Sequence, residues 1–153
     1  MKRVFAVLVA AAALLLGLAL PSHAGGDSTL APGTITTKAG PCGSGYTLIG
    51  HHPVGNGMGY LDVYWSSSAR RNCMATVHAG SYYGDSLYTE AAIRPAGWSW
   101  PSCPSSTGCD GGFYRYFAGP VYTPAGVDMS RRCLDIKGTV DWSSRVMARV
   151  HCG

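Results

Sequence analysis

Charged side chains are scarce in this chain, and their scarcity excludes one class of function. Only 13% of the 153 residues are Asp, Glu, Lys or Arg. Two of the twelve basic residues, Lys2 and Arg3, belong to an N-terminal segment described below. The rest of the chain therefore carries ten basic and eight acidic residues, a net charge of +2. Because so small a charge argues against an electrostatic nucleic-acid binder, we expect no nucleic-acid partner.

The sequence also lacks the motifs of common hydrolases. Neither Gly-Asp-Ser-Gly nor Gly-x-Ser-x-Gly occurs. The segment Gly84-Asp85-Ser86-Leu87 matches the short motif of GDSL-type esterases, but no aspartate is followed three residues later by the histidine base that those enzymes need. A glycosidase needs two facing carboxylates, and the chain offers only Glu90 and seven aspartates outside the N-terminal segment. We predict no catalytic residue and no cofactor.

Metal-binding cysteine motifs are absent as well. The nearest two cysteines are separated by five residues, so no Cys-x-x-Cys pair is present and we predict no metal site. An even number of cysteines in an exported chain indicates three disulfides, for which six cysteines allow 15 pairings. The disulfide candidates are Cys42, Cys73, Cys103, Cys109, Cys133 and Cys152.

Residues 1–24 have the pattern of a signal peptide. Two basic residues precede an apolar run over 4–20, which Pro21 ends. Ser22-His23-Ala24 then places small residues at the two positions that a signal peptidase reads. An uncleaved membrane anchor is the alternative, since the apolar run is long. We predict a secreted, extracellular protein with no membrane contact after cleavage.

Residues 25–41 form a predicted flexible arm, and residues 42–153 a single domain. The arm is rich in Gly, Ser, Thr and Pro, and such a segment buries too little apolar surface to fold by itself. Its one short β-prone stretch contains Ile35. The arm is either a spacer or a strand that pairs with the sheet edge of a partner.

From Cys42 onward the apolar residues alternate with a period of two, which is typical of half-buried strands. We expect one hairpin from strands 60–65 and 73–78, and another from strands 133–137 and 145–151. No sustained helical stripe is present. The fold class is therefore all-β, a small disulfide-stapled β-sandwich or partly open barrel. Further predicted strands are Tyr46–His51, Leu87–Arg94, Phe113–Phe117 and Val121–Thr123.

The predicted hairpins suggest which cysteines pair. The first strand would be joined to the third by Cys42–Cys73, the open end of the last hairpin would hold Cys133–Cys152, and Cys103–Cys109 would close a small loop. Sequence alone does not exclude the other pairings.

The histidines give no metal site by their spacing. His51 and His52 are adjacent, so in a strand their side chains point to opposite faces. His78 and His151 stand alone in the sequence, and we expect each to be hydrogen-bonded or solvent-facing.

Aromatic residues are the best candidates for a binding surface, because one small core cannot hide all of them. Tyr114 and Tyr116 would share one face of a strand. Trp98 and Trp100 lie in the least regular stretch, 95–112, and could instead cap the core. The candidate binding residues are Ile35 in the arm and Tyr82, Tyr83, Trp98, Trp100, Tyr114 and Tyr116.

Six short segments of the domain form a pattern that can be compared with known families. They are Cys42-Gly43-Ser44-Gly45-Tyr46, Arg71-Asn72-Cys73, Ala75-Thr76-Val77, Ala118-Gly119-Pro120-Val121-Tyr122, Cys133-Leu134-Asp135 and His151-Cys152-Gly153. Together they resemble the spore-associated protein A family of secreted actinobacterial proteins. The resemblance implies four framework cysteines, matching Cys42, Cys73, Cys133 and Cys152, and no catalytic residues. Cys103 and Cys109 would then staple an added loop.

A looser similarity, in size, cysteines and N-terminal arm, links the chain to small adaptor subunits of umbrella-shaped toxin particles. Our first hypothesis is a secreted, non-enzymatic interaction protein, an adaptor for another secreted protein, at the cell or spore surface. The second is a domain that binds cell-wall polysaccharide or another carbohydrate through exposed aromatic rings. The third is a small secreted hydrolase.

Overall fold

The computed structural model describes residues 40–104 and 106–153. The predicted signal peptide, Ile35 and all but the last two residues of the predicted arm lie outside this range.

Eight β-strands make up nearly all the regular structure of the described residues. The only helical element there is a 3-10 turn, Gly80–Tyr82. No helix in this part of the chain is long and apolar enough to cross a membrane. The all-β prediction is therefore confirmed. The strands are β1 (Thr47–Val54), β2 (Gly59–Ser66), β3 (Arg71–His78), β4 (Leu87–Pro95), β5 (Cys109–Tyr114), β6 (Phe117–Tyr122), β7 (Leu134–Val140) and β8 (Ser143–Val150).

The strands form two antiparallel four-stranded sheets, which pack as an open sandwich. The first sheet has the order β1-β2-β3-β6, and the second has the order β5-β4-β7-β8. Both predicted hairpins are confirmed, because β2 pairs with β3 and β7 pairs with β8. The β1 and β8 edges lie on one side of the sandwich, where the Arg145 Nη1 donates to the Pro53 carbonyl across 2.8 Å.

Alternation places the apolar side chains of both sheets in one core. Leu61 on β2, Ile93 on β4 and Ile136 on β7 are all at most 1% exposed. Gly138 on β7 lets the sheets approach closely, because a Cβ at this position would overlap Leu61 Cδ2 and Thr76 Oγ1. A core hydrogen bond lies there, since the Thr76 hydroxyl on β3 donates to the Glu90 carbonyl on β4 across 2.8 Å.

Two predictions about the middle of the chain are wrong. Phe113–Phe117 is not one strand, because β5 ends at Tyr114 and β6 begins at Phe117 in the other sheet. Tyr114 and Tyr116 therefore do not share a strand face. The predicted irregular stretch also ends early, since residues 109–112 pair with β4. Backbone pairing overrides the poor strand propensity of the two glycines there.

All six cysteines form disulfides, in the pairing that the hairpin geometry suggested. Cys42–Cys73 joins the segment before β1 to β3, and Cys133–Cys152 closes the open end of the β7–β8 hairpin. Cys103–Cys109 closes the small loop before β5. No cysteine is free.

The strand directions define two ends of the sandwich. At one end β4 begins beside the last residue of β5, and β7 turns into β8. At the opposite end lie residues 96–104 and 106–108, the turn after Tyr122 and residues 151–153.

Candidate binding surfaces

Six exposed aromatic side chains lie at the end of the sandwich where β4 begins. We call this surface the aromatic end. Trp142 and Phe113 are the most open, at 76% and 75% exposed. Six of the ten large apolar side chains that are exposed among the described residues belong to it. Its members are Tyr83, Tyr88, Phe113, Tyr116, Phe117 and Trp142.

One part of the aromatic end is built on the second sheet. Tyr88 and Phe113 are directly opposite each other on β4 and β5, and their ring centroids are 6.0 Å apart in an edge-on arrangement. The amide of Asp141 donates to the Tyr88 carbonyl across 2.7 Å. This bond holds the β7–β8 turn, which carries Trp142, against the start of β4.

The other part is built from two loops. The rings of Tyr83 and Tyr116 lie 4.9 Å apart, so the structure brings these two predicted binding residues together. The loops are joined by two hydrogen bonds. The Gly84 amide donates to the Arg115 carbonyl across 2.9 Å, and Arg115 Nη1 donates to the Gly84 carbonyl across 3.0 Å.

Tyr82 and Tyr114 are also near this end, but both pack against the core. The Tyr114 hydroxyl donates to Asp110 Oδ1 across 2.7 Å, and this hydrogen bond raises the pKa of Tyr114. The second oxygen of Asp110 accepts from the Gly119 amide across 2.7 Å, which ties β5 to β6. These contacts give the two tyrosines a structural role.

The two candidate tryptophans lie far from the aromatic end and in different environments. Trp98 is 45% exposed and lines a groove of about 460 Å³ at the opposite end of the sandwich. Trp100 lies instead on the outer face of the second sheet, where the Arg94 guanidinium is 4.0 Å from its ring centroid. Neither forms part of the core clusters among the described residues.

We call the groove of about 460 Å³ that Trp98 lines the Trp98 groove. Its walls are aromatic rings and prolines with hydroxyl groups and two arginines between them. Residues lining it include Arg71, Arg94, Pro95, Trp98, Ser99, Pro101, Ser106, Thr107, Tyr122 and Pro124.

The histidines are paired more closely than the sequence suggested. His51 Nδ1 lies 2.6 Å from Asp62 Oδ1. His78 is buried and contacts the Tyr82 carbonyl and the Thr89 hydroxyl, which confirms the expectation of a hydrogen-bonded residue. His151 does not stand alone, because its Nε2 lies 2.9 Å from Nε2 of His52. The C-terminal segment returns to β1, a long-range contact that spacing could not reveal.

Burial lowers the pKa of both histidines in this pair. The positive charge of Arg145 and the neighbouring His51 lower that of His52 further, and the His52 ring lowers that of His151. Two nitrogen atoms at this distance share one proton, so at least one imidazole of the pair is neutral.

Two arrangements among the described residues that could suggest chemistry lack a partner or a ligand that the chemistry would need. Ser86 is exposed immediately before β4 and has no histidine hydrogen-bonded to it. Glu90, Cys103 and Cys109 are close enough to hold an ion, but the two sulfur atoms are joined in a disulfide and offer no thiolate. Glu90 Oε1 lies 2.6 Å from the ammonium of Lys137, and this ion pair compensates its buried charge.

Sequence reasoning missed four members of the aromatic end, namely Tyr88, Phe113, Phe117 and Trp142. For Trp142 a signal was present, because it lies in the predicted turn between two strands, where a large apolar side chain has no core to enter. The other three required the strand pairing.

No family model matches the chain, and no solved structure matches it significantly. A curated relative does. Spore-associated protein A of Streptomyces coelicolor is 31% identical to this chain over 125 residues, which cover 82% of this chain and 74% of the relative. The chain therefore belongs to the spore-associated protein A family.

Proposed function

We propose that this chain is an exported, spore-associated protein without catalytic activity, and that its aromatic end binds another exported protein. The observation that carries the proposal is that six of the ten exposed large apolar side chains of the described residues lie at one end of the sandwich. By binding another exported protein in this way, the chain would act as an adaptor subunit.

The composition of the aromatic end suits a protein interface. Protein interfaces are enriched in aromatic residues and depleted of charge at their centre, and large rings supply most of the binding free energy. Two charged residues are adjacent in sequence to members of the aromatic end, namely Arg115, which donates to the carbonyl of Gly84, and Asp141, which precedes Trp142. An exposed apolar cluster of this kind is rarely left uncovered on a monomeric protein.

The scaffold around the aromatic end is ordered before any partner arrives. Phe113 and Tyr88 stand on paired strands, and the Asp141 amide fixes the turn that carries Trp142. Binding would therefore cost little conformational entropy, because few side chains and no backbone segment among these need to be ordered.

The absence of catalysis is proposed because the least exposed acidic groups have structural partners. Burial by itself would raise the pKa of Asp135, but hydrogen bonds from the amides of Arg149 and Gly97 and from the Arg94 side chain lower it overall. Asp110 ties β5 to β6, and Glu90 is paired with Lys137. A carboxyl group whose pKa is lowered, as that of Asp135 is, is a poor proton donor near neutral pH.

Spore association is proposed from the name of the relative, spore-associated protein A. Export is proposed from the signal-peptide pattern of residues 1–24. The arm, residues 25–41, would serve as a spacer or as a second contact through the stretch around Ile35.

Affinity purification from culture fluid and spore extracts tests the proposal. A tagged full-length chain is compared with the double variant Phe113→Ala/Trp142→Ala, and Trp98→Ala at the opposite end serves as the matched control. Wild type and Trp98→Ala should retain the same exported protein, and the double variant should lose it. Equal recovery with all three chains, or recovery of only the monomer with wild type, would contradict the proposed function. Purified wild type with measurable hydrolase activity would contradict its non-enzymatic part.

A further inference from the structure

The Trp98 groove lies at the end of the sandwich opposite the aromatic end, and the proposed protein interface does not use it. Its volume of about 460 Å³ is in the range of small-ligand sites. Trp98 and Tyr122 provide its aromatic walls. The Trp98 amide donates to the Pro95 carbonyl across 3.1 Å, which fixes the turn that carries the indole.

The groove carries one positive charge that has no acidic partner among the described residues. Of its two arginines, Arg94 is compensated, because its guanidinium lies 2.9 Å from Asp135 Oδ2. Arg71 has no such partner. Its Nε donates to the Thr123 carbonyl across 2.9 Å, Nη2 contacts the same oxygen, and Nη1 makes no hydrogen bond within this part of the chain. The guanidinium is also 5.4 Å from the Tyr122 ring centroid, so it is held beside an aromatic wall.

A second polar group in the groove lacks a partner. The Ser106 hydroxyl is buried and makes no hydrogen bond to any described residue. Buried hydroxyl groups are nearly always hydrogen-bonded, and one without a partner marks a strained site or a site that a ligand or water completes. Ser106 lines the groove, together with the hydroxyl-bearing Ser99 and Thr107.

We propose that the Trp98 groove binds a saccharide that carries a carboxylate. The aromatic walls would stack on the apolar face of the sugar ring, the exposed side chains of Ser99 and Thr107 would bond its hydroxyl groups, and Arg71 would pair with the carboxylate.

The walls of the groove favour a saccharide over a peptide. Pro95, Pro101 and Pro124 line it, and proline has no backbone N–H to donate to an extended peptide. The amide of Tyr122, which also lines the groove, is already used, since it donates to the Thr107 carbonyl across 2.9 Å. We therefore expect a ligand to contact chiefly side-chain groups and ring faces.

Two sugars that differ by a single acidic group test the proposal. N-acetylmuramic acid is N-acetylglucosamine with an added lactyl group, which carries the carboxylate. Each is titrated into the folded protein, and the affinity is measured by calorimetry in every variant. In chains that keep Trp98, NMR also follows its indole N–H, which is identified by its loss in Trp98→Ala. An acidic peptide, acetyl-Asp-Pro-Asp-amide, is the third probe.

The acidic sugar should bind at least roughly tenfold more tightly than the neutral one, since a charge-assisted hydrogen bond is worth about that factor. Added salt should reduce this preference. Trp98→Ala should abolish binding of both sugars, Arg71→Met should weaken only the acidic sugar, and Trp142→Ala should change neither. If Arg71→Met does not fold, the comparison of the two sugars in wild type at low and high salt still decides.

Equal affinity for the two sugars, no shift of the Trp98 indole with either, or tighter binding of the acidic peptide would overturn the proposal. The substitutions at Trp98 and Trp142 have opposite expected effects on sugar binding and on protein binding, so failure of one proposal is distinguishable from failure of the other.

Discussion

The three disulfides should contribute unequally to stability, in an order that their loop lengths set. Cys42–Cys73 spans 31 residues, Cys133–Cys152 spans 19, and Cys103–Cys109 spans 6. A crosslink stabilises a protein chiefly by lowering the entropy of the unfolded chain, and the effect grows with the logarithm of loop length. From these lengths the loss on removal is about 3.7, about 3.2 and about 2.2 kcal/mol respectively.

Burial increases the difference between the first and the last of these bonds. Cys73 is fully buried and packs with Cys42 against Tyr64, so its replacement by alanine also leaves a small cavity that costs roughly 1 kcal/mol. Only one half of the Cys103–Cys109 bond is buried, because Cys109 is 2% exposed whereas Cys103 is exposed, so we expect a smaller cavity cost there than for the first bond, where both halves are buried. Domains of this size have total unfolding free energies of about 5–15 kcal/mol, so loss of the first bond removes a large share.

Urea unfolding of three paired Cys→Ala variants, with the remaining disulfides intact, measures these losses. The Cys42→Ala/Cys73→Ala variant should lose the most free energy of unfolding, and the Cys103→Ala/Cys109→Ala variant the least. The reasoning is refuted if the second variant loses as much as the first. If the free energy of unfolding falls with urea concentration at the same slope in all variants, their folded and unfolded states expose similar surface and the losses can be compared directly.

Two further predictions concern the core and the open edge of the sandwich. Gly138→Ala should destabilise the fold by about 1–3 kcal/mol, because the added methyl group overlaps Leu61; an unchanged melting temperature would contradict this packing. The pKa values of His52 and His151 are lowered in the folded protein, so the unfolded chain takes up protons at a higher pH than the folded one. The contribution of this pair to the free energy of unfolding is therefore complete above pH 6.5, the ordinary pKa of histidine, and is lost as the pH falls below that value. Melting temperatures from pH 8 to pH 4.5 should show less acid destabilisation in His52→Gln than in wild type, and identical profiles would refute it.

Local sequence patterns predicted the hairpins well because each hairpin is a local structure. The β2–β3 and β7–β8 pairs are close in sequence and alternate cleanly, so period and turn residues were enough. The β5–β6 boundary was missed because Arg115 and Tyr116 are not typical turn residues. The chain turns there to change sheets, and that change depends on long-range pairing with β3 and β4.

The candidate surfaces were only partly predictable for a related reason. Tyr83 and Tyr116 were proposed as exposed aromatics and lie together, whereas Tyr82 and Tyr114 pack against the core. Residue type alone cannot separate these cases, since a tyrosine suits either environment. Phe113 was missed because its exposure follows from its place on an outward sheet face, which requires the register between β4 and β5.

The central claim, that the aromatic end is a protein-binding surface, is tested most directly by photocrosslinking from defined positions. Phe113 is replaced by the photoreactive benzoylphenylalanine, and Trp98 is replaced in a parallel chain as the control. Both are irradiated in culture fluid and on spores. We predict a crosslinked adduct with a second exported protein from position 113 and none from position 98. An adduct from position 98 alone, or no protein adduct from position 113, would contradict the claim.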